Sequence, residues 1–171
     1  MSNTADAIII GGGIHGASLA FHLGQRGLKS LVLEKKTLAA GATGRSSGLV
    51  RMHYDLEPES RLAWKSFEYF RNWKDIIGGD TSTSLSTGSG FTRTGFIQLV
   101  SENYEEALRG NVAMHQRIGI PSLLIDPEDV KRLAPFFRTD DFNVAAYEPE
   151  SGYADPNAAA ASLMDAAKRF G

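Results

Sequence analysis

The apolar positions change period several times along the chain. After a short polar lead at residues 1–4, Ala7, Ile8, Ile9 and Ile10 follow one another without a break. An unalternated run of this kind predicts a central parallel strand covered on both faces, here Ala5–Ile10. From Ile14 the spacing becomes helical, with Leu19, Ala20 and Leu23 on one stripe and Gly27 placed to end the helix. A second apolar run, Leu31, Val32 and Leu33, predicts a strand over Lys29–Glu34. The first third of the chain therefore opens as a strand–helix–strand unit.

The pattern then weakens. Residues 35–50, KKTLAAGATGRSSGLV, are mostly small. Such a segment cannot hold itself together by side-chain packing. It can wrap closely around a ligand, because its backbone N–H groups and hydroxyls stay accessible. Leu56–Ile77 returns to helical spacing, with Leu62, Trp64, Phe67, Tyr69, Phe70, Trp73 and Ile76 along one long predicted helix. These aromatics read as core, and Gly78 and Gly79 end the helix. Asp80–Gly90 reads as a polar, low-complexity loop. Beyond it the expected order is a strand over Phe91–Val100, a helix over Glu102–Ile118 and a break at Gly119-Ile120-Pro121. A short strand follows over Ser122–Ile125. Asp126 caps a helix that has Pro127 in its first turn and ends near Pro135. Val144–Tyr147 reads as a strand and Glu148–Pro156 as turns. Asp155-Pro156 starts a last helix. No repeat of solenoid type is present.

The turn between the first strand and helix carries the chemistry. Gly11, Gly13 and Gly16 form G-x-G-x-x-G in its proper context, after a strand and opening a helix. Gly11 permits the tight turn, Gly13 lets a pyrophosphate approach the backbone, and Gly16 lets helix and strand pack closely. The helix N-terminus offers N–H groups and a partial positive charge to phosphates. Glu34 closes the second strand at close to the spacing of about 20 residues that puts a carboxylate on a ribose. A carboxylate there disfavours a 2′-phosphate, so NADP is not expected.

Composition narrows the partners. The chain has 171 residues, 42% hydrophobic and 22% charged, with a formal net charge of −2. It is long enough for a real core and not basic enough for nucleic acid. Cysteine is absent, which excludes disulfides, thiolate metal sites and a thioether link to a cofactor within this chain. No pair of histidines or acids has metal-ligand spacing, so no metal is expected. No apolar run is long enough to span a membrane, and the N-terminus resembles neither a secretory signal nor an Arg-rich presequence. A cytoplasmic location is the default expectation.

Four stretches together resemble a known family: IIIGGGIHGASLAFHLGQRG, VLEKK, AAGATGRSSGLVRMHY and EPESGYADPNAAAASLMDAAKRFG. The chain resembles the amino-terminal part of the D-amino-acid oxidase-like FAD-dependent oxidoreductases, the group containing sarcosine oxidase, glycine oxidase and dimethylglycine dehydrogenase. The third stretch looks most like the β-subunit type of sarcosine oxidase. The resemblance implies an α/β fold of the glutathione reductase type: a Rossmann-like FAD-binding βαβ core and the start of an antiparallel-sheet substrate domain. It implies FAD as cofactor, held by Gly11, Gly13, Ile14 and Gly16 at the pyrophosphate and by Glu34 at the ribose, with Lys35 beside it. Thr43, Gly44, Arg45, Ser46 and Ser47 would pass along the pyrophosphate, ribityl chain and flavin ring. Arg51 matches an arginine that helps hold a substrate carboxylate near the flavin, a task suited to a planar guanidinium fork. His53 is a second catalytic candidate, equally readable as a packing histidine. Tyr54 reads as core.

The implied function is oxidation of an amino acid or N-methylated amine by hydride transfer to flavin. A glycerol-3-phosphate dehydrogenase-like flavoenzyme, whose phosphate an arginine would also suit, is an alternative. So is a non-catalytic nucleotide-binding remnant. An oligomer or an electron-acceptor protein remains open as partner. The expected organisation is an FAD-binding part at 1–80, a partial substrate domain at 81–150 and a helix returning to the first part at 151–171. Family members are much longer. The expectation is therefore a truncated chain, marginally stable, with an exposed apolar face and little turnover.

Overall fold

Two apolar runs joined by a helix have one low-energy arrangement, a parallel strand pair with the helix packed across it. A computed structural model, describing residues 4–78 and 88–170, has this arrangement. Strand β1 (Ala7–Ile10) pairs in parallel with β2 (Ser30–Leu33), from Ala7 opposite Ser30 to Ile10 opposite Leu33. Helix α1 (Ile14–Gly24) joins them. Gly27 ends the helix in the left-handed region (φ +75), and the Leu28 N–H reaches back to the Leu23 carbonyl at 3.1 Å.

The remaining elements follow in chain order. They are β3 (Leu49–Val50), α2 (Glu57–Arg71), α3 (Trp73–Ile76), β4 (Thr92–Arg93) and β5 (Phe96–Leu99). Then come α4 (Glu105–Arg117), β6 (Leu123–Ile125), α5 (Pro127–Leu133), β7 (Ala145–Glu148), β8 (Gly152–Tyr153) and α6 (Pro156–Lys168). Both proline-led helices start as the sequence implies. Asp126 accepts the Asp129 N–H at 2.8 Å, and Asp155 accepts those of Asn157 and Ala158 at 2.8 and 3.1 Å.

The chain divides into two compact units. One comprises Met1–Leu49, Tyr69–Phe91 and Tyr153–Gly171, the other Val50–Glu68 and Thr92–Gly152. The boundary expected after residue 80 does not coincide with this division, since Val50–Glu68 lies in the second unit. In the first unit, Ala17 and Phe21 of α1 form a core with Ala159, Leu163 and Ala166 of α6 and with Trp73 and Ile77. The Trp73 indole N–H donates to Ser162 Oγ at 2.9 Å, so its burial leaves no donor unpaired. The alanines of α6 permit a close approach to α1. In the second unit β7 is the middle strand of an antiparallel sheet, flanked by β5 and β6. Leu108 and Val112 of α4 pack on it through Val144 and Ala146.

Several expectations are corrected. Strand β1 is not covered on both faces: Ile10 is 89% exposed and Ile8 65%, and Leu31 and Leu33 are also exposed. The long helix expected over 56–77 breaks at Asn72, whose φ of −119 and ψ of 31 lie outside the helical region. Leu62, counted on its apolar stripe, faces solvent. The strand expected over 91–100 is split at Gly95 (φ +78), whose N–H bonds the Ser151 carbonyl at 2.8 Å. The helix expected from Glu102 begins with a 3-10 turn, Glu102–Tyr104. The loop expected over 80–90 lies outside the described residues up to 87.

Phe21 is 1% exposed at the centre of the first core. Phe21→Ala should destabilise the chain by about 3–5 kcal/mol. A urea denaturation series checks this, with the midpoint falling and the slope unchanged.

Candidate functional site

Gly11 leaves β1 at a φ of +105, a conformation that a side chain would strain. Its N–H bonds the Leu33 carbonyl at 2.8 Å, keeping the turn aligned with β2. A Cβ on Gly16 would land on the carbonyl oxygen of Gly11. Helix α1 is thus pressed on the turn that starts it, as close as glycine allows. A Cβ on Gly13 would come within 3.0 Å of Thr43 Oγ1, and that hydroxyl accepts the Ile14 N–H at 3.0 Å. Thr43 therefore crosses the helix N-terminus.

Glu34 holds the same turn from the other side. Its Oε2 accepts the Gly12 N–H and its Oε1 the Lys36 N–H, each at 2.8 Å. The Gly12 N–H, followed by that of Lys36, keeps this carboxyl below the usual carboxylate range. It is ionised at neutral pH, and each oxygen retains a lone pair for a further donor.

The small-residue segment folds back on the turn. The Ala39 N–H bonds the Gly12 carbonyl at 2.9 Å, and the Gly44 N–H bonds the Ala39 carbonyl at 2.8 Å. Ala39 accepts a φ of +61 to do so. Thr43–Arg45 form a 3-10 turn, and Ser46 Oγ accepts the Gly48 N–H at 3.0 Å. Arg45, Ser46, Ser47 and Lys35 are exposed. Ile10, Gly11, Val32, Leu33, Glu34 and Lys35 border a hollow of ≈ 560 Å³. Every candidate nucleotide residue thus lies on the glycine turn, at the end of β2 or in the segment that closes over them. Sequence reasoning missed Gly12 and Ala39, whose backbone groups tie these pieces together. The GGG run gave a signal for Gly12, but nothing marks Ala39.

The second unit holds the other candidates. Arg51, half-buried, lies with its guanidinium carbon 5.0 Å from the Tyr54 ring centre and 5.2 Å from that of Phe96. This is a cation–π clamp that orients the fork without neutralising it. Among the described residues no carboxylate forms an ion pair with Arg51. It borders a cavity of ≈ 530 Å³ with His53, Tyr54, Gln98, Tyr104 and Asn111. Tyr54, read as core, is thus also a wall residue.

His53 is 4% exposed. Burial first, and then the neighbouring His115 ring and Arg51 guanidinium, push its imidazole down from 6.5 to about 4. Its ring lies 4.6 Å from that of His115, edge to face. His115 Nε2 lies 3.0 Å from the Tyr54 carbonyl and 3.1 Å from Ser60 Oγ. A carbonyl only accepts, so this nitrogen carries the proton. Beside the histidines, Glu148 Oε2 accepts the Met52 N–H at 3.0 Å and the Ser151 hydroxyl at 2.8 Å. His53, His115 and Glu148, all buried, each offer a ligating atom within 4.8 Å of the others. Spacing along the chain argued against any metal cluster, but the fold collects these three from distant positions. Glu148 was read as a turn residue, whereas it ends β7 with its side chain inward.

The model of the family described as FAD dependent oxidoreductase matches residues 6–171. The chain belongs to this D-amino-acid oxidase (DAO) family. Among curated relatives, it is 27% identical over 170 residues to mitochondrial dimethylglycine dehydrogenase of Rattus norvegicus, covering 98% of this chain and 19% of that protein. It is 31% identical over 171 residues to the mitochondrial pyruvate dehydrogenase phosphatase regulatory subunit of Mus musculus, covering 98% of this chain and 18% of that one. Among structures, L-proline dehydrogenase from P. horikoshii superposes with a TM-score of 0.86 at 26% identity, over all of this chain and 43% of that one. Glycine oxidase from Bacillus cereus shares the fold, with a TM-score of 0.77 at 23% identity, over 98% of this chain and 46% of that one. This DAO-family chain therefore spans about a fifth of those curated relatives and less than half of those structures.

FAD is the cofactor of the DAO family, and the turn of this chain fits it. Gly11, Gly13 and Gly16 add no side chains of their own at the first turn of α1, where Thr43 offers a hydroxyl, and an ionised carboxylate stands at the end of β2. Among the described residues no helix is long and apolar enough to cross a membrane.

The folded pKa of His53 lies below its ordinary value, so the unfolded chain binds a proton more readily. Its contribution to stability is complete above 6.5 and is lost as pH falls toward about 4. Thermal melting of the chain in EDTA buffer should show midpoints falling across that window, with a shallower fall in His53→Gln.

Proposed function

We propose that this chain holds the adenosine diphosphate half of FAD and supplies a carboxylate-binding arginine to an oxidase or dehydrogenase of amino acids or N-methylated amines. The observation that carries the substrate class is Arg51: a guanidinium held by two rings on a cavity wall, with no carboxylate of the described chain paired to it. A free amino acid offers the anion that this fork matches. When bound, the flavin supplies two-electron oxidation of a C–H bond next to an amine nitrogen.

The chain's own residues bind and orient. The N-terminus of α1 would hold the pyrophosphate with its remaining backbone N–H groups, the Ile14 N–H being donated to Thr43 Oγ1. Glu34 accepts from ribose hydroxyls with the lone pairs that Gly12 and Lys36 leave free. Lys35, Gly44, Arg45, Ser46 and Ser47 supply the closing segment. Arg51 fixes the substrate carboxylate. His53, neutral at physiological pH, borders the cavity.

The similarity to a protein named as a regulatory subunit supports a second reading, a module that binds FAD without turning over substrate. The two separate in one experiment on the natural full-length protein. Its visible spectrum should show flavin bands, and anaerobic addition of an amino acid or N-methyl amino acid should bleach them. Bands that persist with every such substrate favour the regulatory reading. A folded protein without flavin sinks both.

Two substitutions divide the roles. Gly16→Ala should lower flavin content at least about tenfold, a loss of roughly 1.4 kcal/mol or more, because the new methyl displaces the Gly11 carbonyl. Gly110→Ala, whose Cβ meets open space, serves as the control. Arg51→Lys should keep flavin and raise KM for a carboxylate substrate about 10–100-fold, with little change for an uncharged amine.

A further inference from the structure

Three of the four buried side-chain atoms without a hydrogen-bond partner among the described residues belong to one cluster: His53 Nδ1, His115 Nδ1 and Glu148 Oε1. Nothing in the nucleotide cradle or the arginine clamp uses them. An unpaired buried polar atom is costly, so three together call for a common partner. We propose that His53, His115 and Glu148 form a buried binding site for one divalent transition-metal ion of the zinc or cobalt type.

The chemistry of each residue suits this ion. Two imidazoles and a carboxylate are a donor set that such metals take, with ligand distances of about 2.0–2.2 Å. The partners of each ligand are those that hold ligands elsewhere. His115 has its Nε2–H fixed on the Tyr54 carbonyl and Ser60 Oγ, which directs the Nδ1 lone pair away from them. Glu148 has Oε2 fixed by the Met52 N–H and the Ser151 hydroxyl, which leaves Oε1 free. His53 sits with its ring against His115 and also borders the ≈ 530 Å³ cavity, which gives an ion a way in.

The charge of Glu148 points the same way, against the opposing Arg51 guanidinium near His53. Glu148 is 0% exposed, and no lysine or arginine of the described chain forms an ion pair with it. A buried carboxylate without a cation is costly, and a divalent ion offsets that cost directly. The present spread of up to 4.8 Å exceeds the roughly 3.3–3.5 Å between ligand atoms on a tetrahedral ion. A bound ion would draw the three ligand atoms closer together. Three protein ligands leave a coordination position for water or a small anion.

The test is cobalt titration of the full chain after removal of metal with EDTA. One Co²⁺ per chain should bind, with visible ligand-field absorption that Zn²⁺ abolishes, and Zn²⁺ should raise the melting temperature. Glu148→Gln keeps the size of the side chain and should lower Co²⁺ affinity about 100-fold, with His115→Asn doing the same. Ser151→Ala, which frees Oε2, should lower it about 10-fold. Glu150→Gln, at the exposed ion pair with Arg93, should leave it unchanged. No visible absorption and no melting shift at stoichiometric metal would overturn the proposal. Equal affinity in the parent, Glu148→Gln and His115→Asn would overturn it as well, by placing the ion elsewhere. Flavin content enters none of these readouts, so failure here is distinct from failure of the proposed function.

Discussion

The first unit depends on one contact, the closeness of α1 to the turn that starts it. Gly16 sits where any Cβ would overlap the Gly11 carbonyl. That closeness aims the helix N-terminus along the end of β1, where an anion can meet backbone N–H groups. Everything else in the cradle secures the same geometry. Glu34 ties the Gly12 N–H, Thr43 ties the Ile14 N–H, and Ala39 ties the Gly12 carbonyl. Three chain segments thus converge on a turn of a few residues. The core beneath is a close contact between α1 and the alanine-rich α6, so the last helix is as much part of the cradle's support as the first.

The second unit is organised on a different principle. Its sheet buries polar groups as well as apolar ones. His53, His115, Ser122, Glu148 and Ser151 are all inside. His115 and Glu148 are each held by hydrogen bonds on one side and left open on the other. An interior arranged this way is less stable than an apolar one of the same volume unless the open valences are filled. The arginine clamp follows a related logic. Tyr54 and Phe96 hold Arg51 by their faces and leave its N–H fork available for an anion from outside the chain. The same tyrosine lends its carbonyl to His115, so the stretch that supplies part of the cavity wall also orients one member of the buried cluster.

Much of the first unit was legible along the chain, because its signals are local. A strand, three glycines at fixed spacing, a helical stripe and an acid all lie within one βαβ unit. Asp126 and Asp155 announced their helices for the same reason, since a cap acts within three residues. Where the sequence misled, a distant segment had decided the outcome. The bend at Gly95 follows from its bond to the Ser151 carbonyl, and Glu148 looked like a turn residue until β7 was placed between β5 and β6.

The sequence by itself determined the nucleotide fingerprint, the family and the presence of an arginine after the small-residue segment. These are carried by spacing, and spacing survives without a fold. Only the tertiary structure decided what stands beside that arginine and what lies buried behind it. His53, His115 and Glu148 come from the stretch after β3, from α4 and from the end of β7. Their meeting is a property of sheet order and helix packing, which fix separations in space that no local pattern of residues encodes.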